Sequence, residues 1–156
     1  MYDVVKSKLV YKGKVMEVYD DEITLPNGKT TIRETVMRGN AVAIVPVDKD
    51  GNIYFVRQYR HAAKGMVLEI PAGMIEKGEN PEKAALRELE EELGIAASGE
   101  ELYFAGIYPC QVDDYFGGKH ILDREISAVY LYEKPVNEAD LRLQAEEVES
   151  VCWIDF

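Results

Sequence analysis

The strongest constraint on the fold is a segment, residues 80–94, in which both ends of a helix are marked. Asn80 is a favoured N-cap, Pro81 suits the first helical position, and Gly94 suits the left-handed position that follows a helix. The apolar residues between these markers recur at helical spacing, namely Ala85, Leu86, Leu89 and Leu93. The sequence therefore predicts an amphipathic helix that packs one apolar stripe against a core.

The last turns of this predicted helix carry a high density of negative charge, from Glu88, Glu90, Glu91 and Glu92. Carboxylates there meet the negative end of the helix dipole, which costs about 0.3–1 kcal/mol for each charge. Glu88 and Glu92 also lie four residues apart on one face, and such like-charged pairs cost about 0.2–0.5 kcal/mol. Arg87 can pair with Glu91 but cannot offset the whole cluster. The partner that would best compensate the negative charge on this face is a hard divalent cation, which prefers oxygen ligands.

Composition sets broad limits on the protein's class and partners. The chain has 156 residues, of which 47% are hydrophobic and 30% charged, as expected for one globular domain with a real core. Its net charge of −11 argues against non-specific binding to nucleic acid or to an anionic membrane surface. The chain shows no signal sequence, no apolar run of transmembrane length and no C-x-x-C motif. We therefore expect a cytoplasmic protein that binds neither nucleic acid nor a membrane.

The rest of the chain is dominated by strand patterns. Residues 15–25 and 31–38 are predicted to form a hairpin around Asn27-Gly28, a strong turn pair. The apolar run 41–47 is typical of a strand that is buried on both faces. Further strands are predicted at residues 53–60, 67–70, 102–108, 124–133 and 148–154.

Two segments are predicted to lack strands, and they help to define the domain organisation. Residues 109–120 are predicted to form a long loop, and residues 137–147 either a linker or a short helix. A domain boundary is expected near Gly39. It separates an amino-terminal antiparallel β piece, residues 1–38, from a mixed α/β domain, residues 39–156.

The helix and the loop before it carry a spaced set of specific residues. In order they are Gly73, Glu79, Arg87-Glu88-Leu89, Glu91-Glu92 and Gly94-Ile95. This set matches the signature of the Nudix hydrolases at every specified position, so the chain resembles that family. The residues around it resemble the ADP-ribose pyrophosphatase branch of the family, at positions 25–28, 33–34, 57–60, 68–73 and 108–109.

The resemblance implies both a fold and a reaction. The implied fold is a Nudix-type α/β/α sandwich with a mixed sheet, preceded by a small antiparallel sheet. The implied reaction is Mg²⁺-dependent hydrolysis of the diphosphate in ADP-ribose, with Mn²⁺ as a substitute ion. A metal-activated water would release AMP and ribose 5-phosphate.

The resemblance also assigns roles to the members of the motif. Glu88 and Glu92 are the implied principal metal ligands, and the carbonyl of Ala72 often joins them. Glu91 is implied to be a further ligand or a catalytic residue that orients the water. The structural members of the motif are Gly73, Glu79, Arg87 and Gly94, of which Glu79 and Arg87 would brace the loop against the helix.

Substrate contacts and assembly follow from the same branch. Its proteins are commonly homodimers whose amino-terminal sheets exchange, so residues 1–38 are expected to mediate dimerisation. Arg33 would then contact substrate in the second copy's site, and Arg60 would contact phosphate or adenine in its own. Glu69 would accept a hydrogen bond from the adenine amino group. The alternative for Arg33 is an ordinary solvated charge on a strand.

The residue that activates the water is left open by the sequence. Relatives often carry a glutamate in the region after Tyr108-Pro109, and this chain departs from their pattern there. Glu125 is the first choice for a general base, and Asp114 and Asp123 are the alternatives.

The sequence is also compatible with other substrates and with a function other than catalysis. The substrate class is a nucleoside diphosphate-linked small molecule, so GDP-mannose or a dinucleoside diphosphate is an alternative to ADP-ribose. A non-catalytic nucleotide sensor is less favoured, because the chain keeps every metal-binding glutamate of the motif.

Relatives usually add a carboxy-terminal helix that covers the other face of the sheet. Here that layer is either outside the chain, supplied by residues 137–147, or supplied by a dimer partner.

Overall fold

A computed structural model describes residues 3–116 and 119–154, and the side chains of residues 110–125 lie outside the description. Strands dominate, and α1 (Pro81–Leu93) is the one α-helix in these ranges. The chain divides into two compact units, Met1–Gly39 and Asn40–Phe156. The described helices are all too short or too polar to cross a membrane.

The amino-terminal unit is an antiparallel sheet in the order β1-β2-β3. Its strands are β1 (Asp3–Lys12), β2 (Met16–Thr24) and β3 (Thr30–Arg38). The predicted hairpin is present, with Gly28 at a φ of 78° in the turn. Strand β1 was not predicted, because two irregularities in its pairing with β2 interrupt the alternation that marks a strand in sequence.

The second unit contains two sheets. One has the order β7-β4-β9-β8, with β4 and β9 parallel and the other pairs antiparallel. Its strands are β4 (Ala41–Pro46), β7 (Ala72–Met74), β8 (Leu102–Phe116) and β9 (Lys119–Tyr132). The other sheet is antiparallel in the order β10-β5-β6. Its strands are β5 (Ile53–Arg60), β6 (Gly65–Glu69) and β10 (Val148–Ile154).

The core of this unit lies where α1 packs against β4. Val42 and Ile44 of the strand and Leu89 and Leu93 of the helix are all fully buried. Apolar burial of this kind is the main term that stabilises the unit. The mixed α/β class and the amino-terminal antiparallel sheet are therefore confirmed, with one helical layer in the described part of the chain.

The predicted loop at residues 109–120 is wrong, because β8 and β9 pair along a long hairpin through most of this segment. Pro109 and the polar residues after it suggested a loop. However, β8 is the edge strand of its sheet, and an edge strand tolerates a proline that cannot donate to a ladder. In segment 137–147 the structure has a short 3₁₀ turn, Glu138–Asp140, capped by the Asn137 side chain.

Candidate active site

The loop that leads into α1 is held close to β4 by backbone hydrogen bonds. The buried Pro71 accepts from Ile44 N at 2.8 Å, and Ile75 N donates to the Asn40 carbonyl at 2.9 Å. Between these two bonds, Gly73 approaches the helix so closely that a Cβ atom there would overlap the Glu88 carboxylate. Any larger residue here would have to displace the Glu88 carboxylate, so glycine is favoured at this position by space rather than by backbone conformation.

Both predicted ends of α1 are confirmed. Asn80 Oδ1 accepts from Glu82 N at 2.8 Å, which satisfies one of the orphan donors of the first turn. Gly94 has a φ of 71° and donates its N–H to the Glu90 carbonyl at 2.8 Å. The buried face of the helix includes two carboxylates among its apolar residues, Glu88 and Glu92.

Glu92 is the most deeply buried charged residue of this site, with 2% of its surface exposed. The Gln58 side chain donates from Nε2 to Glu92 Oε1 at 2.9 Å. Among the described side chains, Oε2 of Glu92 is the one buried polar atom without a hydrogen-bond partner. Burial raises the pKa of Glu92 to about 7, the charge of Glu88 adds to this rise, and the Gln58 hydrogen bond opposes it.

Glu88 lies beside Gly73 and is 9% exposed. Arg87 Nη1 donates to its Oε1 at 2.6 Å. Burial nevertheless raises the pKa of Glu88, and the charges of Glu91 and Glu147 act in the same direction. The site therefore holds two buried carboxylates, whose charges repel each other and are only partly compensated.

Arg87 connects the loop to the outer side of the helix. Its guanidinium donates to both oxygens of Glu79, at 3.1 and 3.0 Å, and to the Met74 carbonyl at 3.0 Å. It also reaches Glu91 Oε2 at 3.0 Å, which is the i to i+4 pair that the sequence suggested. The hydrogen bonds from Arg87 lower the pKa of Glu79, so this carboxylate is satisfied within the chain.

Of the predicted substrate residues, Arg60 and Glu69 belong to the second unit and Arg33 to the amino-terminal unit. Arg60 and Glu69 form an ion pair, with Arg60 Nε and Nη2 at 2.8 and 2.5 Å from Glu69 Oε2. The hydrogen bond to Glu69 raises the pKa of Arg60, and the charge of Glu92 adds to this rise, so this pair borders the buried carboxylates. Arg33 lies on β3 in the amino-terminal unit, where its Nη1 donates to the Ile32 carbonyl at 3.1 Å.

The three predicted general bases belong to the two strands of the β8–β9 hairpin. The backbone of Asp114 belongs to β8, and that of Asp123 and Glu125 to β9. Their side chains are outside the described part of the chain.

Two residues near the carboxylates were missed in the sequence. Gln58 shares the buried face of β5 with Tyr54 and Val56, and a polar residue in that alternation is a signal that could have identified it. Glu147 precedes β10, and its charge raises the pKa of both Glu88 and Glu92. No local pattern in the sequence connects Glu147 to the helix, because only the fold brings them together.

The residues present fit a hard divalent cation. Oε2 of Glu92 is buried and unpartnered, Glu88 lies beside Gly73, and carboxylate oxygens are the donors that Mg²⁺ prefers. Within the described residues, no three His, Cys, Asp or Glu side chains already form a metal-binding group. A complete ligand shell therefore needs donors besides Glu88 and Glu92, and the family resemblance predicts Glu91 and the Ala72 carbonyl for this role.

Comparison with known proteins agrees with this fold. Residues 37–156 match the NUDIX domain, and the chain belongs to the NUDIX domain family. The predicted resemblance to this family is thereby confirmed, and the relatives described next confirm the resemblance to its ADP-ribose pyrophosphatases.

Three curated relatives share 39–48% identity with this chain. The chain is 48% identical to an ADP-ribose pyrophosphatase of Bacillus subtilis over 88 residues, which are 56% of this chain and 48% of the relative. It is 43% identical to a methanol dehydrogenase activator of Bacillus methanolicus, over 58% of this chain and 49% of the relative. It is 39% identical to an ADP-ribose pyrophosphatase of Mycobacterium tuberculosis, over 62% and 47% respectively. The chain thus spans about half the length of the curated relatives it matches.

A solved structure supports the fold. The crystal structure of an ADP compounds hydrolase superposes with a TM-score of 0.58 at 18% identity, covering 98% of this chain and 76% of that one. At this identity the likeness concerns the fold alone.

Proposed function

We propose that the protein is a Mg²⁺-dependent Nudix hydrolase that cleaves ADP-ribose to AMP and ribose 5-phosphate. The observation that carries the proposal is the buried, unpartnered oxygen of Glu92 beside Glu88, within a complete Nudix motif. The substrate is supported by relatives named ADP-ribose pyrophosphatase at 48% and 39% identity. Mn²⁺ is proposed as a substitute ion.

The chain's own residues have distinct roles in this proposal. Glu88 and Glu92 would hold the ion, with Glu91 and the Ala72 carbonyl completing the protein ligands. When bound, Mg²⁺ would neutralise diphosphate oxygens and promote ionisation of the attacking water. Arg60 would bind an anionic or adenine group of the substrate, and Glu69, its ion-pair partner, would fix the orientation of the guanidinium.

The general base is proposed to come from one of four carboxylates. Glu125, Asp114 and Asp123 remain predictions from the sequence. Glu147 joins them because its neighbour Val148 pairs with Gln58 across β10 and β5, and because its charge acts on both buried glutamates. Each is tested by its Gln or Asn variant. The base is the residue whose removal lowers kcat by about 10²–10⁴-fold while Mn²⁺ affinity stays near that of the native protein.

A homodimer is also proposed, through the amino-terminal sheet. No residue from Asp3 to Gly39 is buried, and apolar side chains such as Val36 and Tyr11 are more than half exposed. A sheet of three strands without a covered face needs packing against another surface. Arg33 would reach the second copy's site from this sheet. Light scattering on the purified protein tests the dimer, and a monomer would contradict it.

We also propose a cytoplasmic location for the protein, as the sequence predicts.

The direct test of the reaction is to measure AMP release from ADP-ribose with Mg²⁺. GDP-mannose and a dinucleoside diphosphate are assayed beside it, because the chain covers only about half of each relative that suggests the substrate. We expect the highest kcat/KM for ADP-ribose. Faster turnover of another compound would change the substrate and keep the reaction class. Binding of ADP-ribose without any product would instead support a sensor.

A further inference from the structure

A buried amide lies beside the carboxylate cluster, on a strand that supplies no member of the Nudix motif. Gln58 of β5 is 2% exposed, and its neighbours on the same face, Tyr54 and Val56, are buried as well. Burying an amide costs about 1–3 kcal/mol unless it is hydrogen-bonded. The Gln58 amide meets this requirement through the 2.9 Å bond from its Nε2 to Glu92 Oε1.

We infer that Gln58 is a positioning residue for the metal site and acts through Glu92. This inference rests on the metal-dependent function proposed above. The bond to Gln58 makes the two oxygens of Glu92 unequal, since Oε1 has a donor and Oε2 has none. Rotation of the carboxylate would exchange them. Gln58 opposes that rotation and holds Oε2 as the oxygen that is free to bind a cation.

A neutral donor is suited to this role. Lysine or arginine at position 58 would neutralise Glu92, much as Arg87 satisfies Glu79, and would compete with a divalent ion. An amide orients the carboxylate and leaves its charge in place. Partners of this kind behind a metal ligand typically contribute about 10–100-fold to metal affinity.

The test measures the binding of Mn²⁺ to the native protein and to two variants. Electron paramagnetic resonance quantifies the free ion, and no other ligand is present. Gln58→Met keeps the length of the side chain and removes the donor. Tyr54→Phe is the matched control, since it removes a hydrogen bond from the same strand, the 3.4 Å contact to the Val136 carbonyl. We expect Gln58→Met to weaken Mn²⁺ binding about 10–100-fold and Tyr54→Phe to change it by less than about twofold.

Circular dichroism and thermal unfolding establish that each variant is folded, and Gln58→Leu replaces Gln58→Met if the latter is not. A loss of affinity that merely follows loss of stability would appear in Tyr54→Phe as well, and this result would overturn the inference. A folded Gln58 variant that binds Mn²⁺ within about twofold of the native protein would also overturn it. If the native protein itself binds no Mn²⁺, the proposed metal-dependent function fails instead.

Discussion

Glu79 and Glu92 belong to one motif, yet the protein surrounds them in opposite ways. Glu79 accepts two hydrogen bonds from the guanidinium of Arg87, at 3.1 and 3.0 Å, and these lower its pKa. Glu92 has a neutral amide as its side-chain donor, and burial raises its pKa to about 7. The charge of Glu79 is thus satisfied by the chain itself, whereas the charge of Glu92 is not.

This difference divides the acidic motif into two parts. Glu79 and Arg87 form a brace between the loop and the helix, and Glu88 and Glu92 form the site. Around Glu79, an internal cation joins the loop to the helix, and ionisation favours folding. Around Glu92, ionisation opposes folding unless a cation is supplied from outside. The same residue type therefore stabilises the fold at one position and prepares a binding site at the other.

The largest expected effect comes from removing the charge at the site. Glu92→Gln should lower the rate of AMP release from ADP-ribose by about 10²–10⁴-fold, because it removes a proposed metal ligand. The matched control is Glu90→Gln, an exposed glutamate of the same helix, which should keep the native rate. Equal rates for Glu92→Gln and the native protein would remove the distinction between brace and site.

The second prediction concerns the pH dependence of metal-free stability. The pKa of Glu92 is raised from 4.5 to about 7, so the folded state binds its proton more tightly than the unfolded state does. The free energy of unfolding should therefore fall as the pH rises from about 4.5 to 7, by up to roughly 3 kcal/mol from this group.

This prediction is measured as the difference between the native protein and Glu92→Gln in urea unfolding at several pH values. The pKa of Glu79 is lowered, so its contribution is present above its unfolded pKa and is lost only at more acidic pH. The two carboxylates thus act in separate pH windows. A difference that stays constant from pH 4.5 to 7 would contradict the assignment for Glu92.

The brace itself supplies the third prediction. Arg87→Ala removes the donors to Glu79, Glu88, Glu91 and the Met74 carbonyl, and should lower the free energy of unfolding by about 1.5–3 kcal/mol. Arg57→Ala, at an exposed position on β5, is the control and should cost less than about 0.5 kcal/mol. Comparable values for the two variants, obtained from urea unfolding, would show that Arg87 is no brace.

The smallest expected effect separates helix stability from the site. Asn80→Ala removes the hydrogen bond to Glu82 N and should cost about 1 kcal/mol of stability. Because the cap lies at the other end of α1 from Glu92, Mn²⁺ affinity should be unchanged. A large loss of affinity in this variant would mean that the site depends on the stability of the helix as a whole.

Much of the fold could be predicted because its signals are local. The ends of α1 follow from Asn80, Pro81 and Gly94, and the buried strand β4 follows from its apolar run. The hairpin of β8 and β9 was missed because Pro109 is a local loop signal, while its tolerance depends on β8 being an edge strand. That property is set by the whole sheet.

The site was less predictable than the fold, because only part of it is encoded by local sequence signals. The motif identified Glu88 and Glu92, and the i to i+4 rule identified the pair of Arg87 and Glu91. Gln58 and Glu147 come near these carboxylates only through tertiary packing. The family resemblance implied that Glu79 and Arg87 brace the loop, whereas sequence spacing alone gives no means to decide that Glu79 is paired with a cation and Glu92 is not.

The most direct test of the central claim is calorimetric titration of the metal-free protein with Mn²⁺ at pH 7, in two buffers of different ionisation enthalpy. A carboxyl with a pKa of about 7 is partly protonated there, so we predict saturable binding that releases protons to the buffer. Glu92→Gln should lose both the binding and the proton release. No saturable binding by the native protein, or identical titrations for the two proteins, would contradict the claim that Glu92 awaits a cation.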